Sequence, residues 1–128
     1  MKNALIKTGL ITALLIGLTL VLFTACDDII PISARDRMIL FIADANAEKW
    51  SELKKHTHPD ASAYNTADAG FWETNMDTYL ELIGPVMSGN TATVTGAGPV
   101  TFTFSLKEDG KKNYKIYRIL RGATIIFE

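Results

Sequence analysis

The stretch VTFTFSLKEDGKKNYKIYRIL, residues 100–120, decides the fold class of this chain. Apolar and hydroxyl side chains alternate from Val100 to Leu106, which predicts a strand with one buried face and one hydroxyl-bearing face. Residues 107–111 predict a turn and residues 114–120 the returning strand of a hairpin. In that strand the alternation predicts that Ile116 and Leu120 lie on one face and Tyr117 and Ile119 on the other.

The sequence on either side of this hairpin predicts further strands. Residues 91–95 form the preceding strand, joined through the glycine-containing connection 96–99. Gly122 breaks or bulges the chain before a last strand at 124–127. One brief strand around residues 62–64 is also compatible with the sequence. We expect an antiparallel meander of about four strands.

The residues before the meander have a helical period instead. Ser33 begins the first predicted helix as its N-cap, with Asp36 at the third helical position. We predict helices at about 34–45, 47–57 and 70–83, and Gly84-Pro85 ends the third. The third rests on the helical spacing of four apolar residues: Trp72, Met76, Tyr79 and Ile83.

Helices followed by a meander define an α+β domain, with three helices packed on one face of a curved antiparallel sheet. The order of these elements and their residue pattern resemble the nuclear transport factor two-like superfamily. The resemblance is carried by the segments FIADANAEKWSELKKHTHPDA and GAGPVTFTFSLKEDGKKNYKIYRI. That superfamily, of cystatin-like fold, includes the SnoaL-like and ketosteroid-isomerase-like proteins. The resemblance implies a cone-like fold that hosts enzymes, binding modules and dimerisation units alike.

The N-terminal segment is separate from this domain. After Lys2 and Lys7 the 18 residues from Thr8 to Ala25 carry no charge, which is typical of an export signal or a membrane anchor. They end in Phe23-Thr24-Ala25-Cys26, which resembles the lipobox of bacterial lipoproteins, and Cys26 is the only cysteine. We therefore predict a signal peptide (1–25), a lipidated tether (26–32) and a single domain (33–128). An uncleaved anchor helix and ordinary secretion are the alternatives.

Lipidation at Cys26 implies attachment to a membrane of the bacterial cell envelope, with the domain outside the cytoplasm. The chain after the signal peptide holds 11 basic and 14 acidic residues, the wrong sign for a general nucleic-acid partner. One cysteine excludes an internal disulfide and a cysteine-based zinc site. Residues 107–121 carry a net charge of +4, which indicates either solvated strand edges or attraction to anionic lipid.

Few residues have the types and spacing that catalysis requires. His56, His58 and Asp60 form the only cluster of metal-ligand side chains, but no supporting motif accompanies them. Their position at and just beyond a helix end favours a partial positive charge on the histidines, which suits the helix dipole. We predict no metal and no cofactor. Candidate acid and base groups, by analogy with ketosteroid-isomerase-like enzymes, are His58, Asp60, Tyr64 and Asp77.

A set of large apolar side chains either fills the core or lines a pocket for a small apolar or aromatic ligand: Trp50, Trp72, Met76, Tyr79, Phe102 and Phe104. The sequence therefore favours a non-catalytic module that binds a small molecule or another protein. The alternative is a small cone-fold isomerase, dehydratase or hydrolase. A partly apolar outer face of the sheet would favour a homodimer.

Overall fold

A computed structural model describes residues 30–78, 80, 85–110 and 112–128. The predicted signal peptide, Cys26, most of the tether, Tyr79 and Ile83 lie outside these residues. Residues Pro31–Glu128 form one compact unit.

This unit is of the α+β class and contains three helical elements and an antiparallel sheet of five strands. In chain order the elements are α1 (Ala34–Asn46), a 3₁₀ helix (Trp50–His56), α2 (Ala69–Met76), β1 (Val86–Ser88), β2 (Thr91–Gly96), β3 (Val100–Glu108), β4 (Tyr114–Arg121) and β5 (Thr124–Phe127). The expectation of about four strands missed β1, because three residues are too few to display an alternating pattern.

The sheet is a meander in which each strand pairs with the next along the chain, in the order β1-β2-β3-β4-β5. In the described residues β1 and β5 are its two outer strands, so the sheet is open. Its inner face is apolar, because the alternating residues Phe102, Phe104 and Leu106 are buried. They form one core with buried side chains of α1 and α2, including Phe41 and Trp72.

The first helix has nearly its predicted bounds, the second is a 3₁₀ helix that begins three residues later than predicted, and the third ends early. Ser33 caps α1, with its Oγ accepting the backbone N–H of Asp36. The third helix was expected to reach residue 83 but ends at Met76. Leu80 lies instead in a β-bridge to Gly96, and both its backbone groups bond to the side chain of Asn46. Fully buried Leu80 therefore has a strand-like pairing where a helical residue was expected.

β4 differs from its predicted register by one residue. Ser105 pairs with Arg118 but Leu106 pairs with Ile116, so Tyr117 is an extra residue at a bulge. Because the bulge reverses the alternation, Ile116 and Ile119 are both fully buried on the inner face. Leu120 lies on the outer face, so the prediction that it shares a side with Ile116 is wrong.

The brief strand expected around residues 62–64 is also absent, since residues 62–66 form a turn. This turn is held to the last residue, with the Ala63 N–H donating to the Glu128 carbonyl. Within the part of the chain that the structure describes, no helix is long and apolar enough to cross a membrane.

Candidate functional site

A buried polar cluster lies where α1, the 3₁₀ helix and the β3–β4 hairpin meet. Its members are Arg37, Asp44 and His56, here called the Arg37–His56–Asp44 cluster. Arg37 and Asp44 stand seven residues apart on α1, which brings both to one face of that helix. His56 ends the 3₁₀ helix and lies between them.

The geometry of the cluster fixes the protonation of His56. Its Nδ1 lies 3.1 Å from Nη1 of Arg37, and its Nε2 lies 2.8 Å from Oδ2 of Asp44. A guanidinium can only donate, so Nδ1 accepts and Nε2 carries the proton donated to Asp44. His56 is therefore assigned as a neutral imidazole between a cation and an anion.

Arg37 also joins this cluster to the hairpin. Its Nε donates to the Tyr114 carbonyl at 2.8 Å, and its Nη2 donates to Oδ1 of Asn113 at 2.9 Å. The guanidinium thus connects three elements that are far apart in sequence. Arg37 is only 5% exposed, which explains why its donors are used within the protein.

The environment shifts the pKa values of the three groups. Burial lowers the pKa of His56, and the neighbouring Arg37 charge adds to this, although Asp44 opposes it. Burial alone would raise the pKa of Asp44, but the His56 hydrogen bond and the Lys55 charge bring it below its ordinary value. Burial also lowers the pKa of Arg37. The predicted positive charge at His56 is therefore wrong, because that ring is desolvated.

The second histidine, His58, is also fully engaged. Its Nδ1 accepts the backbone N–H of Asp60 at 3.0 Å, and its Nε2 lies 3.2 Å from the Glu108 carbonyl. Because a carbonyl only accepts, Nε2 carries the proton. The backbone N–H of His58 donates to the Ile116 carbonyl, which holds this segment against β4.

The other acid and base candidates lie at the surface and in different surroundings. Asp60 is 59% exposed and its carboxylate accepts from Lys107 at 2.8 Å, a hydrogen bond that lowers the pKa of Asp60. The partly buried ring of Tyr64 lies under Nζ of Lys54. Asp77 is exposed at the end of α2. No hydrogen bond joins any two of these three residues within the described part of the chain.

The predicted aromatic set lies mostly inside the core. Trp72, Met76, Phe102 and Phe104 are at most 1% exposed, and Trp50 packs partly buried against them. The Trp72 ring contacts rings on both sides, with centroid distances of 6.0 Å to Phe41 and 5.3 Å to Phe127. Tyr79 lies outside the described residues. The described members thus contact one another as core side chains do.

The outer face of the sheet carries a second distinctive feature. One cross-strand row contains one residue from each strand: Val86, Thr93, Thr103, Leu120 and Ile125. Its ends are aliphatic and exposed, 70% for Val86 and 48% for Ile125. We call these five residues the outer row; at about 4.8 Å per strand they span about 19 Å.

Comparison with protein-family models, curated proteins and solved structures found no match to this chain.

The Arg37–His56–Asp44 cluster can stabilise the fold, but it lacks a free base. Neither histidine has an unoccupied ring nitrogen, and both are at most 4% exposed. Among the described residues, no group of three histidine, cysteine or acidic side chains is placed to hold a metal ion. Sequence reasoning missed Arg37 and Asp44. Their opposite charges and seven-residue spacing, which puts both on one face of a helix, could have indicated that they belong to one site.

Replacing His56 with glutamine should remove a pH dependence of stability. Folded His56 is neutral with a lowered pKa, whereas the unfolded side chain takes up a proton below about pH 6.5. Its contribution is thus fully present above that pH and is lost as the pH falls toward the folded-state pKa, with a slope of at most about 1.4 kcal/mol per pH unit. Glutamine can accept from Arg37 and donate to Asp44 without titrating.

The measurement is urea unfolding of both proteins from about pH 7.5 to about pH 5.5, above the ordinary pKa of Asp44. We expect wild-type stability to fall more steeply than that of His56→Gln. His58 is present in both proteins, so its contribution cancels. Parallel pH profiles would contradict the assignment of a neutral His56.

Proposed function

We propose that this chain is a lipid-anchored protein of the bacterial cell envelope whose domain is a non-catalytic interaction module. The sequence supports the anchor, and the geometry of the candidate site supports a role without catalysis. The cone-like arrangement of nuclear transport factor two-like proteins is part of the proposal, supported by helices packed on one face of an antiparallel meander.

The anchor rests on Cys26. The only cysteine ends the only long apolar run of the sequence, and the residues before it resemble a lipobox. A thioether-linked diacylglycerol with an added acyl chain contributes ~0.8 kcal/mol per buried CH₂, which makes such attachment effectively permanent. Residues 26–32 then link the lipid to the domain.

Cys26→Ala should abolish processing and lipidation. Without the thiol no diacylglycerol is attached, so the chain should accumulate as a larger precursor that no longer incorporates labelled palmitate. Thr24→Ala is the matched control, because it keeps a small residue in the same motif and should be processed normally. A Cys26→Ala protein of mature size would contradict the anchor.

The single observation that carries a non-catalytic role is the state of the two histidines. Each has both ring nitrogens in hydrogen bonds to the protein, and each is buried. A general base needs a free lone pair within reach of substrate, and recognition needs none. Asp60 is exposed to solvent and paired with Lys107, and such surroundings do not raise the pKa of a carboxyl group toward neutral pH.

The outer row supports a self-complementary interface as the form of interaction. A second copy related by a two-fold axis parallel to the strands, passing over β3, would bring Val86 of one copy against Ile125 of the other. Thr103, at the middle of the row, would then meet its own counterpart. Such pairing of one patch with itself is the geometry of most homodimers.

A cysteine at Thr103 tests this interface in cells. The lipid blocks the thiol of Cys26, so Thr103→Cys would supply the free thiol. Two stacked sheet faces lie about 10 Å apart, too far for a direct disulfide between the two copies. We therefore expect a short bis-maleimide reagent to link the two thiols into a covalent homodimer, and we expect Ile125→Lys to prevent it by placing a charge at the contact. Leu40→Cys is the control, because Leu40 is exposed, at 44%, but lies on α1 and not on the sheet. Equal cross-linking by the Thr103 and Leu40 variants, or none from Thr103→Cys, would refute the dimer.

A further inference from the structure

The point where the chain enters the domain is held against the β3–β4 hairpin. The Tyr114 N–H donates to the Ile32 carbonyl at 2.9 Å, just before α1 begins. Arg37, in the first turns of α1, bonds to the Tyr114 carbonyl and to the Asn113 side chain. Ile32 and the residues Lys112–Lys115 therefore occupy one end of the domain, which we call the tether end.

Two lysines of the tether end differ in whether a carboxylate pairs with them. Lys115 lies 3.1 Å from the Asp109 carboxylate, and its side chain is 24% exposed. Lys112 is exposed, and no salt bridge joins it to another described residue. Its backbone N–H donates to Glu108, and its positive φ of 57° places it at the turn. Residues 108–115 contain three lysines against one glutamate and one aspartate, a net charge of +1.

The charged residues in the first turn of α1 do not change the positive sign of the net charge at the tether end. Exposed Arg35 and Asp36 are adjacent and offset each other, and Arg37 adds a buried cation. Two further acidic residues, Asp27 and Asp28, lie within the tether itself. Of the two described lysines of the tether end, Lys112 is thus the exposed one without a salt bridge.

The length of the tether limits how far this end can lie from an anchored lipid. Cys26 precedes Ile32 by six residues, and at about 3.5 Å per residue the chain can extend no more than about 20 Å. The 13 residues of α1 run about 20 Å away from Ile32, which puts Lys49 at the far end of that helix. Lys112 therefore lies nearer than Lys49 to Ile32, where the tether joins the domain.

We propose that the tether end is the membrane-facing surface of the domain and that Lys112 contacts the headgroups of anionic phospholipids. This inference rests on lipidation at Cys26. A lysine within a Debye length of an anionic surface is attracted to it, and that attraction weakens as salt increases. The outer row on the sheet remains free for a second copy.

Lysine acetylation in proteoliposomes tests this orientation. The purified full-length lipoprotein is inserted into phosphatidylcholine vesicles with or without phosphatidylglycerol, neither of which has a reactive amine. A brief reaction with an acetylating ester is followed by mass spectrometry of each lysine. We expect acetylation of Lys112 to slow on the order of threefold in anionic vesicles and to recover at high salt. Lys49, whose side chain is 60% exposed, should react equally in both.

A variant distinguishes an electrostatic contact of Lys112 with the headgroups from steric shielding by the vesicle surface. Lys112→Asn removes the charge, and asparagine tolerates the left-handed backbone at this position. In the wild-type protein we expect acetylation of Lys115, which is also at the tether end, to slow in anionic vesicles. Lys112→Asn should remove this slowing of Lys115, whereas Lys49→Asn should leave it unchanged.

Equal rates at Lys112 in both vesicle types would overturn the proposal, as would stronger protection of Lys49 than of Lys112. Failure of the anchor is a separate outcome, because an unlipidated protein would not float with the vesicles at all.

Discussion

Phe104→Ala should lower the free energy of unfolding by about 3–5 kcal/mol. Phe104 is fully buried on the central strand, where it pairs with Ala92 on one side and Ile119 on the other. Its ring centroid lies 5.4 Å from that of Phe41, so the side chain joins the sheet to α1. Truncation removes these contacts and leaves a cavity that a packed core fills only in part.

Urea unfolding monitored by tryptophan fluorescence measures this loss, with Thr101→Ala as control. Thr101 is on the same strand but is exposed on the outer face, and its truncation should cost less than about 1 kcal/mol. If both variants lost the same stability, the inner and outer faces of β3 would be assigned wrongly.

Arg37→Met should lower the free energy of unfolding by about 3 kcal/mol. Methionine retains much of the apolar stem but has no donor. Three acceptors would then lose their partner: Nδ1 of His56, the carbonyl of Tyr114 and Oδ1 of Asn113. Leaving a buried acceptor unpaired costs more than the net value of the hydrogen bond itself.

Arg35→Met is the matched control, because Arg35 lies two residues away on α1 and is exposed. Its loss should change stability by less than about 0.5 kcal/mol. Arg37→Lys should recover only part of the difference, since one ammonium cannot reproduce the planar fork that reaches three acceptors. Equal stability of the Arg37→Met and Arg35→Met proteins would show that the Arg37–His56–Asp44 cluster contributes little.

Local patterns predicted the elements that local interactions determine. The alternation from Val100 to Leu106 gave a strand, and β5 has the predicted bounds at Thr124–Phe127. The Ser33 cap also formed as expected. In each case the deciding interaction lies within a few residues along the chain, so the sequence pattern carries it directly.

The errors arose where distant residues decide the conformation. α2 ends early because Leu80 pairs with Asn46 and Gly96, and neither partner is apparent from the helical spacing around Trp72. The bulge at Tyr117 depends on register with β3, so Ile119 could not be assigned to a face from its own strand.

The candidate site shows the same division. The sequence identified His56 and His58 as unusual residues but assigned them to a helix end with partial positive charge. Their actual state depends on Arg37 and Glu108, which are 19 and 50 residues away. Burial beside these groups, rather than the position at a helix end, determines what the imidazoles can do.

Mass spectrometry of the membrane fraction is the decisive measurement for lipid anchoring at Cys26. Trypsin should release an N-terminal peptide that runs from Cys26 to Arg35, the first basic residue after the predicted cleavage site. We expect this peptide to begin at Cys26 and to carry the mass of a diacylglycerol and an N-acyl chain. A peptide that continues upstream of Cys26, or one with an unmodified Cys26, would contradict it.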